Sequence, residues 1–334
     1  MRVNREELLR KLESVSPGLA VKEAVEQSSC FAFKGGSVVT FNDEVACRTK
    51  CDVGFEGAVA AKPLLELLAK MPEEEVDVGP TDGGLLVKGK RRRSTIVMEA
   101  DITLPVGVVD RPDKWRPVDA EFSEAISIVQ HCAGKDYTHF YTVCIHITPD
   151  YVEACDNFHA ARYPVATGVV EPCLVKKESI KHIVGLGMTK VGATNAWLHY
   201  RNPSGLVFSL RREQDDYPEV DGILEVRGTK TTLPNGLADA IGRAEIFSSE
   251  NPDENKVVVE LRAKQLSLRG RGASGWYEER RDVVWNGSPF AFTISPNLLL
   301  EILERTNECY IADNRLIVDN GKFVYVTSVE QTKD

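Results

Sequence analysis

A chain that carries the same pair of amphipathic helices three times, at nearly constant spacing, is committed to a repeated architecture before any motif is considered. Here one helical pattern is centred on Leu9, Ile126 and Ile241, with separations of 117 and 115 residues. A second is centred on Leu65, Ile180 and Leu299, with separations of 115 and 119. The first leads the second by 56, 54 and 58 residues. Short strand-like runs fill the intervals, so each unit reads as helix, strands, helix, strands. Three similar α+β domains in series are predicted.

The helices are legible from their faces. The periodicity places them at 5–15, 61–71, 122–135, 175–186, 236–247 and 295–306. Asn4 is a good N-cap, and Glu6 and Glu7 suit the positive helix end. Leu8, Leu9, Leu12 and Val15 share one face at helical spacing. Leu64, Leu65, Leu67 and Leu68 form the inward face of the second helix, whose first turn tolerates Pro63. Cys30-Phe-Ala-Phe and Ser37-Val-Val-Thr-Phe flank Lys34-Gly-Gly as a predicted hairpin. Thr81-Asp-Gly-Gly marks another turn. The proline-rich stretches 103–119 and 213–235 read as linkers, giving domains at 1–115, 116–226 and 227–334.

With 43% hydrophobic residues, each third can bury its own core. No apolar run approaches the ~20 residues a bilayer span requires. The start, Met1-Arg-Val-Asn-Arg-Glu-Glu, enters a helix without a signal-peptide core, predicting a cytoplasmic protein. None of the eight cysteines forms a Cys-x-x-Cys pair, and most sit in apolar strand-like runs, as buried reduced thiols do. The net charge of −9 argues against nucleic-acid binding until it is divided among elements. The six helices carry eleven Lys/Arg and ten Asp/Glu, a net of +1, leaving −10 for the rest.

Candidate chemistry is sparse. All six histidines lie in the middle third, none at metalloprotease spacing, so no metal site and no cofactor are expected. Cys155-Asp156…His159 could be drawn as a nucleophile and base, but Cys155 ends a strand, and packing is the favoured role. Gly270-Arg-Gly-Ala-Ser-Gly resembles a dinucleotide fingerprint by letters only, because a strand rather than a helix follows it; a hairpin is predicted. Lys90-Arg-Arg-Arg is the one strong charge run, either a protected strand edge or a phosphate or acidic-partner contact. No convergent set of acids, bases or ligands suggests catalysis.

Several stretches resemble the beta-subunit sliding clamps of bacterial DNA polymerase III. Val59-Ala-Ala-Lys-Pro-Leu-Leu-Glu-Leu-Leu, with the later Leu85-Leu-Val-Lys-Gly, is similar to the family's second helix of the first domain. Tyr151-Val-Glu-Ala-Cys-Asp-Asn-Phe-His-Ala-Ala resembles its strand ending in Ala-Thr-Asp-Gly-His-Arg-Leu-Ala. Ser209-Leu-Arg-Arg…Asp216-Tyr-Pro-Glu-Val resembles the passage from second to third domain, Arg243-Ala-Glu-Ile-Phe-Ser the third domain's first helix, and Phe323-Val-Tyr-Val-Thr the last strand. The resemblance covers the whole chain in order. It departs at Asn157-Phe-His-Ala, where a gap would instead bring Arg162 into register, and at the additional tail Glu330-Gln-Thr-Lys-Asp. Such divergence suits a phage-encoded or otherwise specialised clamp.

The resemblance implies three clamp-type α+β domains, each with two helices inside and β-sheets outside, forming half of a closed ring that a second copy completes. It implies a processivity factor without a catalytic site, which encircles double-stranded DNA without sequence preference and serves a replicative polymerase and a clamp loader in the cytoplasm, at the nucleoid. On the helix faces, Arg10, Lys11, Lys62, Lys70, Lys177, Lys181, Arg243 and Arg305 would touch phosphates. A dimer interface would use Arg91, Arg92, Arg93 and Ile96 of one chain with Ile246, Phe247, Glu278 and Glu279 of the other. A partner-peptide cleft would draw on Thr142, Cys155, His159, Ala160, Pro218, Ile223, Val324 and Val326. The alternative from another class is a cytosolic enzyme or repeat scaffold with a domain-junction site using Cys155 and His159.

Overall fold

The computed structural model describes residues 1–134, 139–250, 255–312 and 314–328. The C-terminal tail from Glu330 lies outside them.

The first repeat runs β1 (Arg2–Asn4), α1 (Arg5–Val15), β2 (Cys30–Lys34), β3 (Ser37–Phe41), β4 (Val45–Lys50), β5 (Gly57–Ala60), α2 (Ala61–Lys70), β6 (Glu75–Thr81), β7 (Gly84–Lys88) and β8 (Arg93–Ile96), with a two-residue β9 (Met98–Glu99) after it. The second runs β10 (Arg116–Pro117), α3 (Phe122–Val129), β11 (Cys144–Ile147), β12 (Tyr151–Cys155), β13 (His159–Pro164), β14 (Cys173–Lys176), α4 (Lys177–Ile180), β15 (Lys190–Ala193), β16 (Trp197–Arg201) and β17 (Val207–Arg211). A one-turn helix, α5 (Asp221–Leu224), precedes the third. That repeat runs β18 (Thr229–Thr232), α6 (Leu237–Ser248), β19 (Val257–Arg262), β20 (Gln265–Gly272), β21 (Gly275–Asp282), β22 (Phe290–Ile294), α7 (Pro296–Arg305), β23 (Glu308–Ala312), β24 (Arg315–Asp319) and β25 (Val324–Ser328). Strand, helix, four strands, helix, three strands therefore occurs three times.

Four of the six predicted helices end within a residue of their expected bounds. Asn4 caps α1, its side chain accepting from the Glu7 amide at 2.9 Å. The middle pair is shorter than periodicity suggested. α3 stops at Val129 and tightens into a 3-10 turn, Gln130–Cys132. α4 has four residues and a following 3-10 turn, Lys181–Ile183. Residues 173–176 are strand, and Gly185 and Gly187 have φ of 80° and 62°, a left-handed backbone that a helix cannot continue.

The chain divides into two compact units: residues 1–127, 145–150 and 165–215, and residues 128–144, 151–164 and 216–334. In the first unit, α1 packs on α2, burying Leu8, Leu12 and Val15 from one helix and Leu64 and Leu68 from the other. Leu65 and Leu67, predicted inward, are half-buried. A four-stranded sheet, β1-β6-β7-β8, accompanies a nine-stranded sheet, β10-β15-β16-β17-β4-β3-β2-β5-β9. The larger sheet fuses strands of two repeats through β4 and β17, which pair antiparallel.

The second unit repeats the plan. α6 packs on α7, burying Ile241, Ala244, Leu299 and Ile302. One sheet runs β21-β20-β19-β22, and another includes β12-β13-β25-β24-β23-β18, joined across repeats by β13 and β25. The glycine-rich stretch is a hairpin, as predicted, and its glycines serve packing. A Cβ at Gly270 would stand 2.0 Å from the Ala244 carbonyl oxygen, and one at Gly272 2.1 Å from that of Phe247. Side chains there would push α6 off the sheet.

Candidate functional site

Three sets of residues carry possible function: helix cations, sheet edges and one cavity. On α1 and α2, Arg10, Lys62 and Lys70 are exposed and make no ion pair among the described residues. Lys11 is held by Glu7 at 2.7 Å, one turn earlier. Lys181 pairs with Glu178, and Lys177 is half-buried. On α6, the Arg243 guanidinium bonds Glu279 at 2.6 Å and the Tyr277 hydroxyl at 2.8 Å, a pairing across to β21 that sequence spacing did not suggest. Arg305 donates to the Glu301 carbonyl at 2.8 Å.

Among the described residues, β8 is an edge of its sheet in the first unit, and β21 is an edge of its sheet in the second. Arg91, two residues before β8, and Arg93, its first residue, are exposed, while Arg92 pairs with Glu73 at 2.8 Å. Ile96 is already buried within its own unit. Its exposed neighbour is Val97, which sequence reasoning passed over. A shallow groove of about 450 Å³ beside β8 is lined by Pro63, Leu67, Lys70, Ile96 and Val97. Along β21, Glu278 is bound by Arg269 and Arg280 at 2.6 and 2.7 Å, and Glu279 by Arg243 and Arg281, each at 2.6 Å. The Tyr277 hydroxyl first, and then Arg243 and Arg281, lower the pKa of the Glu279 carboxyl to about 2. The acidic edge is thus largely neutralised within the chain. Ile246 is exposed on α6, and Phe247 is half-buried. Trp276, also missed in the sequence, projects from β21 with most of its surface exposed.

The cavity lies wholly in the second unit. It measures about 520 Å³ and is lined by β13 (Arg162, Pro164), α5 (Asp221, Leu224) and the β24–β25 hairpin (Asp319, Phe323, Val324), among others. Arg162 organises its wall, with ion pairs to Glu153 and Asp221, both at 2.7 Å, and its guanidinium 4.3 Å from the Tyr151 ring centre. Of the eight residues matched to a partner cleft, Val324 lines the cavity. Cys155, Ala160 and Val326 lie behind it in a buried cluster with Val220, Leu224 and Ile317. Thr142 is buried, Pro218 half-buried, and Ile223 exposed beside the lining residues of α5. The family resemblance marked both Val324 and Val326, which share one face of β25; the structure leaves Val324 at the cavity and buries Val326 in the cluster behind it.

The Cys155–His159 pair lacks the features of a nucleophile and its base. Burial pushes the Cys155 thiol up, away from thiolate. The His159 Nδ1 lies 3.1 Å from both carboxylate oxygens of Asp156. Burial acts to raise the Asp156 carboxyl, but the hydrogen bond and charge of His159 outweigh it and hold it below its ordinary value. Cys47, Cys173 and Cys309 are likewise buried thiols, the last two pushed up to about 11 and 12.

No protein-family model matches the sequence, and no curated protein is significantly similar to it. Solved structures are similar along the whole chain. The DNA polymerase III subunit beta from Pseudomonas aeruginosa is 17% identical, with a TM-score of 0.78 over 99% of this chain and 100% of that one. That from Thermotoga maritima is 15% identical, with a TM-score of 0.79 over 99% of each. The sliding clamp from Bartonella birtlesii, solved with griselimycin bound, is 14% identical, with a TM-score of 0.81 over 99% of each. The fold is therefore that of the sliding clamps, α+β with few helices and many strands.

Proposed function

We propose that the chain is a DNA sliding clamp: a non-catalytic processivity factor whose homodimeric ring encircles duplex DNA and tethers a replicative polymerase. The observation that carries this reading is the incomplete repetition of one joint. Strands of successive repeats pair edge to edge at β4–β17 and again at β13–β25. A third such joint needs β21 and β8, which stand at opposite ends of the series and have no partner at that edge among the described residues. A second copy related by twofold symmetry supplies both missing partners and closes the series. The three domains are read as 1–115, 116–226 and 227–334.

Sliding requires that phosphates be held loosely. Each phosphate neutralised strengthens binding and its salt dependence, so a few dispersed cations such as Arg10, Lys62 and Lys70 serve better than a dense patch. Topology keeps the ring on DNA, and the acidic remainder disfavours other contacts. The cavity walled by Arg162, Leu224 and Val324 is the proposed site for a short, partly apolar peptide of the polymerase or clamp loader. Ile246 and Phe247 are proposed to enter the groove beside β8 of the partner chain. The reading implies a cytoplasmic, nucleoid-associated protein. No helix among the described residues is long and apolar enough to cross a membrane.

The test is topological. The protein, loaded on nicked circular DNA, should remain bound at high salt and be lost when the circle is cut. Equal retention on linear DNA with free ends would overturn the clamp reading.

A further inference from the structure

The two internal joints also specify the register of the third. Equivalent positions follow from the hairpins on either side. Phe41, four residues into β3, faces Ala46 of β4; Cys155, four residues into β12, faces Ala160 of β13; Arg269, four residues into β20, faces Glu278 of β21. On the other side, the second residues of β16, β24 and β7, all leucines, face Leu210, Thr327 and Ile96. In the joints themselves, Leu210 faces Val45, the residue before Ala46, and Thr327 faces His159, the residue before Ala160. Both end in the same bond: the Arg211 amide donates to the Glu44 carbonyl at 2.9 Å, and the Ser328 amide to the Phe158 carbonyl at 2.6 Å.

Carrying this register to the remaining edges, we infer that β8 of one chain pairs antiparallel with β21 of a second copy so that Ile96 lies opposite Tyr277, Thr95 opposite Glu278 and Arg93 opposite Arg280, with Val97 set against Trp276. The inference rests on the clamp reading and adds the alignment of its interface. Val97 is 71% exposed and Trp276 69% exposed in the single chain, which leaves two large apolar surfaces unfavourably in water. In this register they are direct neighbours on one face of the joined sheet, within the reach of cross-strand pairs. A shift by one residue would instead turn Trp276 to the opposite face from Val97. Arg93 and Arg280 are like-charged, and Glu278, bound to both Arg269 and Arg280 and one diagonal from Arg93, offsets only part of that repulsion. The apolar pair, rather than the arginine run, therefore fixes the alignment.

Directly opposite residues in an antiparallel pair have Cα atoms roughly 4.5–5.5 Å apart, within disulfide range. The full-length chain carrying Thr95→Cys and Glu278→Cys should form a covalent dimer under mild oxidation. Thr95→Cys combined with Arg280→Cys, which tests a slip of two residues, should cross-link at least tenfold more slowly. In the wild type, dimerisation should shift Trp276 emission to the blue, and Trp276→Phe should remove that component. A dimer that cross-links preferentially in the slipped pair, or whose Trp276 keeps the emission of an exposed indole, would overturn the register and leave the clamp reading standing. A wild-type protein that stays monomeric by light scattering at micromolar concentration would overturn the clamp reading itself.

Discussion

Replacing Trp276 with alanine should weaken the dimer without weakening the fold. An aromatic side chain of this size buries about 150–250 Å² when covered, and Trp276 has 69% of its surface exposed, so roughly 100–170 Å² is available to a partner. If Val97 and its surroundings cover about half, the gain at ~25 cal/mol per Å² is roughly 1.3–2 kcal/mol at each joint. Twofold symmetry makes two joints, so the dimer loses roughly 2.5–4 kcal/mol, and its dissociation constant rises about 60- to 700-fold. The translational and rotational cost of association is common to both proteins and cancels in the comparison. Because the side chain is mostly in water in the single chain, folding stability should change by no more than about 0.5 kcal/mol. Sedimentation or light scattering across a dilution series measures the first quantity and thermal melting the second. A double-mutant cycle with Val97→Ala should give a coupling on the order of 0.5 kcal/mol or more. A dissociation constant within threefold of wild type, or strict additivity in the cycle, would refute the reasoning.

Converting Arg10, Lys62, Lys70 and Lys177 together to alanine should lower polymerase processivity while leaving the dimer mass unchanged; each single change should have a small effect, and full processivity in the quadruple variant would exclude the helix faces as the DNA surface. Val324→Asp should weaken capture of a polymerase-derived peptide about tenfold, ~1.4 kcal/mol, since it replaces an apolar contact surface with a carboxylate drawn to Arg162, which faces it across the β13–β25 pair; isothermal calorimetry checks this. Val326 is the poorer probe because it lies in the core, 2% exposed, where a charge would test folding. Ile246→Ala with Phe247→Ala should give folded monomers by light scattering, and an unchanged dimer would remove α6 from the interface. Burial lowers the His199 pKa to about 4, below the ~6.5 of an unfolded chain, so the unfolded state binds the extra proton between these values. Stability should therefore be fully present above about pH 6.5 and fall as pH drops toward 4, by about 3 kcal/mol; a urea denaturation series against pH should show this slope reduced in His199→Gln.

The six helices and their alternation with strands were legible because apolar residues at helical spacing are a local property of the chain. So were the Asn4 cap and the glycine-rich hairpin, each decided within a few neighbouring residues. The second middle helix was overestimated because Ile183, Val184 and Leu186 prolong the apolar rhythm of Ile180, whereas α4 tightens into a 3-10 turn after Ile180 and Gly185 then turns the backbone left-handed. The arginine run at 90–93 drew attention as a motif, whereas the exposed Val97 and Trp276 did not, since a lone apolar residue in a strand looks the same whether its face is covered or bare. Similarly, Glu278 and Glu279 read as an open acidic surface in sequence, but four arginines from β20, β21 and α6 already meet them. Arg162 could be brought toward the partner cleft only by assuming a gap. The order and period of elements followed from hydrophobic patterning along the chain. Which strand edges remain open, which charges are already matched and which valine faces a cavity depend on residues far apart in sequence, and only tertiary packing brings those together.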